Sequence, residues 1–114
     1  MHEFSLAQDV LQIVLASAAE HGLSTVGEVR LDVGRASGVH VDALSFAWEH
    51  LRSTDARTAD CALELNRPAG VGECPACGFN GEIDDYIRIC PECHALGLRI
   101  TGGTEFMVTG ISGE

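Results

Sequence analysis

Apolar and polar residues alternate along this chain with two different periods. Leu6, Val10, Ile13, Val14 and Ala18 recur at helical spacing. The spacing predicts a helix over Ser5–His21, opened by a capping box of Ser5 with Gln8 and closed at Gly22. Val29, Leu31 and Val33 then alternate with Arg30 and Asp32, which predicts a strand over Thr25–Val33. The helical period returns in Leu44, Ala47, Trp48 and Leu51, giving a second helix over Val41–Arg52. Cys61, Leu63 and Leu65 alternate with Glu64 and Asn66, a second strand over Ala59–Asn66. Pro68–Gly72 reads as a linker rich in structure breakers. A last extended segment, Arg99–Ile111, holds Gly102-Gly103 as a bulge or turn.

This order predicts an α+β (mixed α/β) domain: a small three-stranded sheet with two helices on one face. A strand–helix–strand unit favours parallel pairing through a right-handed crossover. The cysteine-bearing stretch interrupts the domain as an inserted zinc-ribbon-like segment. The expected division is residues 1–68 with 98–114 in one domain and 69–97 in the other.

Charge narrows the functional classes. The 114 residues carry a formal net charge of −10. Binding to nucleic acid rests on cations that neutralise phosphates, so nucleic acid and anionic membrane surfaces are disfavoured. Cations and basic proteins are the partners such a chain suits. The apolar runs are too short to span a bilayer, and Met-His-Glu-Phe-Ser lacks the pattern of a signal peptide. A cytoplasmic location is expected.

Four of the five cysteines form two Cys-x-x-Cys pairs, Cys74-Pro-Ala-Cys77-Gly and Cys90-Pro-Glu-Cys93-His. One such turn sets two sulfurs about 3.5–4 Å apart, near one edge of the tetrahedron that Zn(II) takes with thiolates. Gly78 permits a positive φ after the first pair, with Asp84–Ile89 as room for a short hairpin between the pairs. Cys74, Cys77, Cys90 and Cys93 are the expected zinc ligands. Four ligands leave no open position for catalysis, so the expected role is to fold a segment too small to fold alone. Rubredoxin-like iron or a redox dithiol fits the same spacing. Cys61 sits on the apolar face of a strand as a buried residue.

The start of the chain offers a second, different donor set. In Met1-His2-Glu3, the Met1 amine, the His2 amide and the His2 imidazole are linked through small chelate rings, and the Glu3 amide or a side chain can complete a plane. Such nitrogen-rich planar coordination suits Ni(II) or Cu(II). Met1 is expected to be retained, since His2 is not small. His21 and His50 lie at helix C-termini, His40 precedes the second helix, and His94 follows a knuckle near the cysteine site.

Met1-His2-Glu3-x-Ser5-Leu6, the Cys-Pro-x-Cys repeats, Val29-x-Leu31-x-Val33-Gly34, Leu44-Ser45-Phe46-Ala47-Trp48-Glu49 and Gly103-x-Glu105 together resemble the HypA/HybF family of hydrogenase maturation nickel chaperones. The resemblance covers essentially the whole chain. It implies a metallochaperone without catalytic activity that binds Ni²⁺ at its N-terminus. The cargo would go to the [NiFe]-hydrogenase large subunit together with a maturation GTPase, and some members also serve urease maturation. By position it makes His2 the essential nickel ligand, helped by Met1 and by Glu3, and Cys74, Cys77, Cys90 and Cys93 the ligands of Zn²⁺. His40 stands near a loop position where some members are acidic, as a further nickel ligand or as a tolerated loop residue. Members can carry a His after each knuckle; here only His94 is present, with Phe79 near the other position. Two rival readings are a zinc-ribbon interaction module that transfers no nickel, and an iron redox protein. No phosphate loop or nucleophile elbow supports a hydrolase.

Overall fold

The computed structural model describes residues 2–114. In order, the elements are α1 (Glu3–Glu20), β1 (Val26–Val33), α2 (Val41–Leu51), β2 (Ala62–Asn66), β3 (Gly70–Glu73), β4 (Asn80–Ile83), β5 (Arg99–Gly102) and β6 (Phe106–Gly113), with short 3₁₀ turns at Arg52–Thr54 and Ala56–Thr58. The fold is mixed α+β, with two helices and two three-stranded sheets ordered β2-β1-β6 and β4-β3-β5. No helix among the described residues is long and apolar enough to cross a membrane.

The chain divides into two compact units, one of Met1–Leu31, Val39–Leu65 and Val108–Glu114, the other of Asp32–Gly38 and Asn66–Met107. The second is thus longer than the 69–97 segment read from the sequence.

In the first unit α1 packs on α2. Its buried row is Ala7, Val10, Val14 and Ala18, while Ile13 is half exposed. The row includes an alanine that hydropathy alone underweights, and it leaves Ile13 on the outer face. The helix also begins two residues earlier than expected. His2 is the residue before its first turn, no side chain caps it, and the His2 carbonyl accepts the first helical bond from the Leu6 N–H at 2.8 Å. The capping box of Ser5 and Gln8 does not form at this boundary. Glu3 in the first turn supplies the negative charge that a helix N-terminus favours. At the other end Leu23 N–H reaches Ala18 O (2.8 Å) and Gly22 N–H reaches Ala19 O (3.4 Å), with Gly22 at φ +69°, a Schellman closure.

On α2, Leu44, Ala47 and Trp48 are buried as the period predicts. The Trp48 indole N–H donates to Cys61 O at 2.8 Å, and Arg52 Nη1 donates to the same carbonyl at 3.3 Å, which ties α2 to the start of β2. Cys61 is fully buried, and burial pushes its thiol pKa up; the Arg52 charge opposes this and the Glu28 charge adds to it. β1 and β2 are neighbours in the sheet, and Asn66 Nδ2 at the end of β2 donates to Asp32 Oδ1 on β1 at 3.0 Å. β6 runs antiparallel to β1, since Thr25 and Glu114 exchange both backbone bonds at 3.2 and 2.9 Å.

The second unit corrects two sequence expectations. The stretch read as a linker contains β3, the central strand of an antiparallel sheet in register Val71↔Glu82 and Glu73↔Asn80 with β4. The stretch read as one extended segment is two strands, β5 and β6, in different sheets. The glycines that resemble breakers are needed for packing: a Cβ on Gly70 would lie 2.8 Å from Ile83 O, and one on Gly72 would lie 2.9 Å from Leu98 Cδ2. The core here is small, with Ala36, Cys74, Ile83, Cys90 and Leu98 buried and Phe79, Ala95 and Ile100 packed against them.

Candidate metal centres

The two cysteine pairs sit at the tips of two antiparallel turns. Glu73↔Asn80 closes the first below Cys74–Cys77, and an isolated bridge Ile89↔Leu96 closes the second below Cys90–Cys93. Two backbone bonds of one turn recur in the other. Gly78 N–H donates to Cys74 O and His94 N–H to Cys90 O, both at 2.9 Å. Cys74 N–H donates to Phe79 O at 2.8 Å and Cys90 N–H to Ala95 O at 3.0 Å. Gly78 has φ +82°, and its counterpart His94 holds φ +63°, a conformation that non-glycine residues adopt uncommonly. His94 thus fills a backbone position that is glycine in the other knuckle.

This pairing brings all four sulfurs within 4.8 Å of one another. Two separations that cross between knuckles are Cys74–Cys93 at 3.7 Å and Cys77–Cys90 at 3.6 Å. A tetrahedral ion with metal–sulfur bonds of about 2.3 Å needs an S···S edge of about 3.8 Å, so the donor set fits a tetrahedral thiolate site. Cys90 is fully buried, and the N–H groups of Glu92 and Cys93 both point at its sulfur at 3.4 Å. Burial raises its pKa, but the N–H groups of Cys93 and Glu92 and the neighbouring thiols outweigh it and bring it to about 7. At Cys77 the Phe79 N–H lowers the pKa, and burial with the three other thiols overcomes it and raises it to about 12.

The other expected centre lies at the start of α1. Met1 is outside the described residues. His2 is exposed, and Glu3 is buried in spite of its charge. The Glu3 carboxylate accepts the His40 backbone N–H at 2.9 Å, so the structure brings two of the expected nickel residues together across 37 positions of sequence. His40 itself is the N-cap of α2, its Nδ1 accepting the Ala43 N–H at 3.2 Å. A neutral imidazole that accepts at Nδ1 carries its proton on Nε2. His40 therefore works here as a cap, and ligation through Nε2 would first require loss of that proton. Sequence reasoning missed the cap because histidine is not among the preferred N-cap residues.

The His40 N–H is the main reason that Glu3 has a lowered pKa; burial acts against it. A depressed carboxyl stabilises the fold above its unfolded value, and that contribution is lost as pH falls through the folded value. The His40 amide resonance should therefore titrate in acid with a midpoint below the ordinary glutamate value of 4.5. Glu3→Gln should abolish that step, and a midpoint at or above 4.5 in the native chain would contradict the contact.

A groove of about 400 Å³ beside Glu3 is lined by Phe4, Ala43, Phe46, Ala47 and His50. Phe4 and Phe46 are 52% and 69% exposed, and the Phe46 and His50 rings lie 4.5 Å apart. The signal was present in the sequence: both phenylalanines fall off the buried stripes of their helices.

The profile of the family described as "Hydrogenase/urease nickel incorporation, metallochaperone, hypA" matches residues 1–113. The chain belongs to the HypA family. It is 40% identical over 109 residues to the Hydrogenase maturation factor HypA of Rhizobium leguminosarum bv. viciae, covering 95% of both chains. It is 36% identical over the full length of both to the HypA of Geobacter metallireducens. The solution structure of the Ni metallochaperone HypA from Helicobacter pylori shares the fold, with a TM-score of 0.69 at 20% identity over 99% of this chain and 97% of that one. HypA proteins are hydrogenase/urease nickel-incorporation metallochaperones and not enzymes.

Proposed function

We propose that this chain binds Ni(II) as cargo at its start and hands it to the [NiFe]-hydrogenase large subunit in the cytoplasm, together with a maturation GTPase, and that it serves urease maturation where that enzyme is present. The supporting observation is the HypA family match over residues 1–113. The ligands in this reading are the Met1 amine, the His2 amide and imidazole, and the Glu3 amide. Two local features favour them. The Glu3 N–H belongs to the first turn of α1, whose N–H groups have no intrahelical acceptor, so its use by a metal breaks no helical bond. His2 is exposed, so the cargo can leave by ligand exchange with an incoming donor. Cys74, Cys77, Cys90 and Cys93 hold Zn(II) as a resident structural ion, which elemental analysis of purified protein checks directly; bound iron would instead colour the protein.

Nickel affinity should be measured in the native chain, in His2→Ala and in a chain with one residue added before Met1. The extension keeps every side chain and moves the amine out of chelating reach. Both variants should lose more than the roughly 10–100-fold that removal of a supporting contact causes. Equal affinity in all three would refute the N-terminal site and leave a zinc-ribbon interaction module. His40→Ser separates the two roles of His40, because serine caps a helix without an imidazole or a carboxylate. Unchanged affinity assigns His40 to the cap alone, and a loss assigns it to the metal.

A further inference from the structure

We propose that the cleft beside β4 in the second unit docks an extended segment of a partner protein that alternates Lys or Arg with aliphatic side chains. The cleft encloses about 340 Å³ and is lined by Glu82, Ile83, Asp84, Asp85, Ile87, Ile89 and Pro91. Ile87 and Ile89 are about half exposed, and Leu96, paired across from Ile89, is 81% exposed. Contiguous apolar side chains left in water beside a polar rim mark an interaction surface.

Charge selects the occupant. Three of the seven lining residues are acidic, and Arg88, the one cation of the Asn80–Cys93 stretch, does not line the cleft. A second copy of this chain, itself at −10, would meet like charge there; a basic segment would meet complementary charge. Backbone geometry selects an extended form. β4 is one of the two outer strands of the sheet β4-β3-β5. An outer strand presents unpaired backbone groups, and an extended peptide can add to such an edge with alternate side chains seated in pockets. The loop is also held in shape, since Asp85 Oδ1 accepts the Ile87 N–H at 2.9 Å.

None of the residues lining the cleft is among the proposed nickel ligands, so its test is independent of the cargo reading. ¹⁵N-labelled, metal-loaded full chain is titrated with three capped nine-residue peptides alternating lysine with valine, lysine with serine, or glutamate with valine. The lysine–valine peptide should shift the amides of Glu82–Ile89 and Leu96 and bind at least about tenfold more tightly than the other two. Asp84→Asn with Asp85→Asn, and separately Ile87→Ser with Leu96→Ser, should each remove about tenfold of that affinity, with nickel affinity and all distant resonances unchanged. Equal binding of the lysine–serine peptide would reduce the effect to charge attraction and overturn the proposal. Shifts confined to the groove of Phe4 and Phe46, or absent altogether, would also overturn it.

Discussion

Stripping the ion from the four-cysteine site, or replacing Cys90 with serine, should unfold residues 70–102 and leave the helical unit folded. The reason is the size of the core that the ion joins. Ile83 and Leu98 are the only large aliphatic side chains in its buried set; the others are Ala36, Cys74 and Cys90. Burying one such aliphatic side chain contributes about 1.5–3 kcal/mol, whereas ordering each residue's backbone costs about 1–2 kcal/mol. A structural zinc ion contributes about 10–16 kcal/mol in small zinc domains, and that binding energy is folding energy. Cys90 is the most sensitive of the four because its sulfur receives two N–H groups inside the core. The measurement is a ¹H–¹⁵N spectrum before and after chelation, with metal content followed in parallel. Amide dispersion should collapse for β3, β4 and β5 and persist for α1 and α2. Cys61→Ala is the control: its sulfur is absent from the cluster, so the ion and the dispersion should both remain. A dispersed spectrum for residues 70–102 in the metal-free chain would show that the small core suffices alone.

The same weakness of the second unit explains which parts of the fold were legible in the sequence. Where side-chain burial dictates the element, the period was visible: Val10, Val14 and Ala18 on α1, Leu44, Ala47 and Trp48 on α2, and Val29, Leu31 and Val33 on β1 are all buried. The knuckles were legible because metal chemistry fixes their spacing. β3 was not, because Gly70 and Gly72 occupy its inward positions and contribute no hydropathy signal. Hydropathy marks a residue that packs, and it has no mark for one that makes room. The start of α1 was missed for another reason. Its boundary answers to a contact made 37 residues away, between Glu3 and His40, and no local capping rule can see that distance. His40 shows the limit most directly. The sequence placed it before α2 as a further nickel ligand or a tolerated loop residue, and neither reading includes the bond that its ring nitrogen accepts from the Ala43 N–H.

Gly103→Ala and Gly34→Ala should each cost more than about 3 kcal/mol, the upper end of what overpacking normally costs. Three strands of backbone meet where these residues lie. Gly34 N–H donates to Glu105 O and Ala36 N–H to Gly103 O, both at 2.8 Å, while Arg35 N–H donates to Pro68 O at 2.9 Å. A Cβ on Gly34 would sit 2.0 Å from Gly103 O and 2.7 Å from Glu105 Oε1, a buried oxygen without a hydrogen-bond partner among the described residues. A Cβ on Gly103 would sit 2.3 Å from Ala69 O and 2.4 Å from Gly70 Cα. The obstructing atoms are mostly main chain, so no rotamer change relieves them; the hydrogen-bonded segments themselves must separate. Gly103 also has φ +78°, which adds about 1–2 kcal/mol for any L side chain. Gly22→Ala isolates that second effect, because Gly22 has φ +69° and nothing within 4 Å of its Cβ position. At roughly 4 °C per kcal/mol, Gly22→Ala should lower the melting temperature by about 4–8 °C, and the two buried substitutions by more than about 12 °C. If Gly34→Ala melted within the range of Gly22→Ala, the backbone junction would have to be softer than its close approach implies. The Gly103-x-Glu105 pattern would then owe its presence to something other than packing.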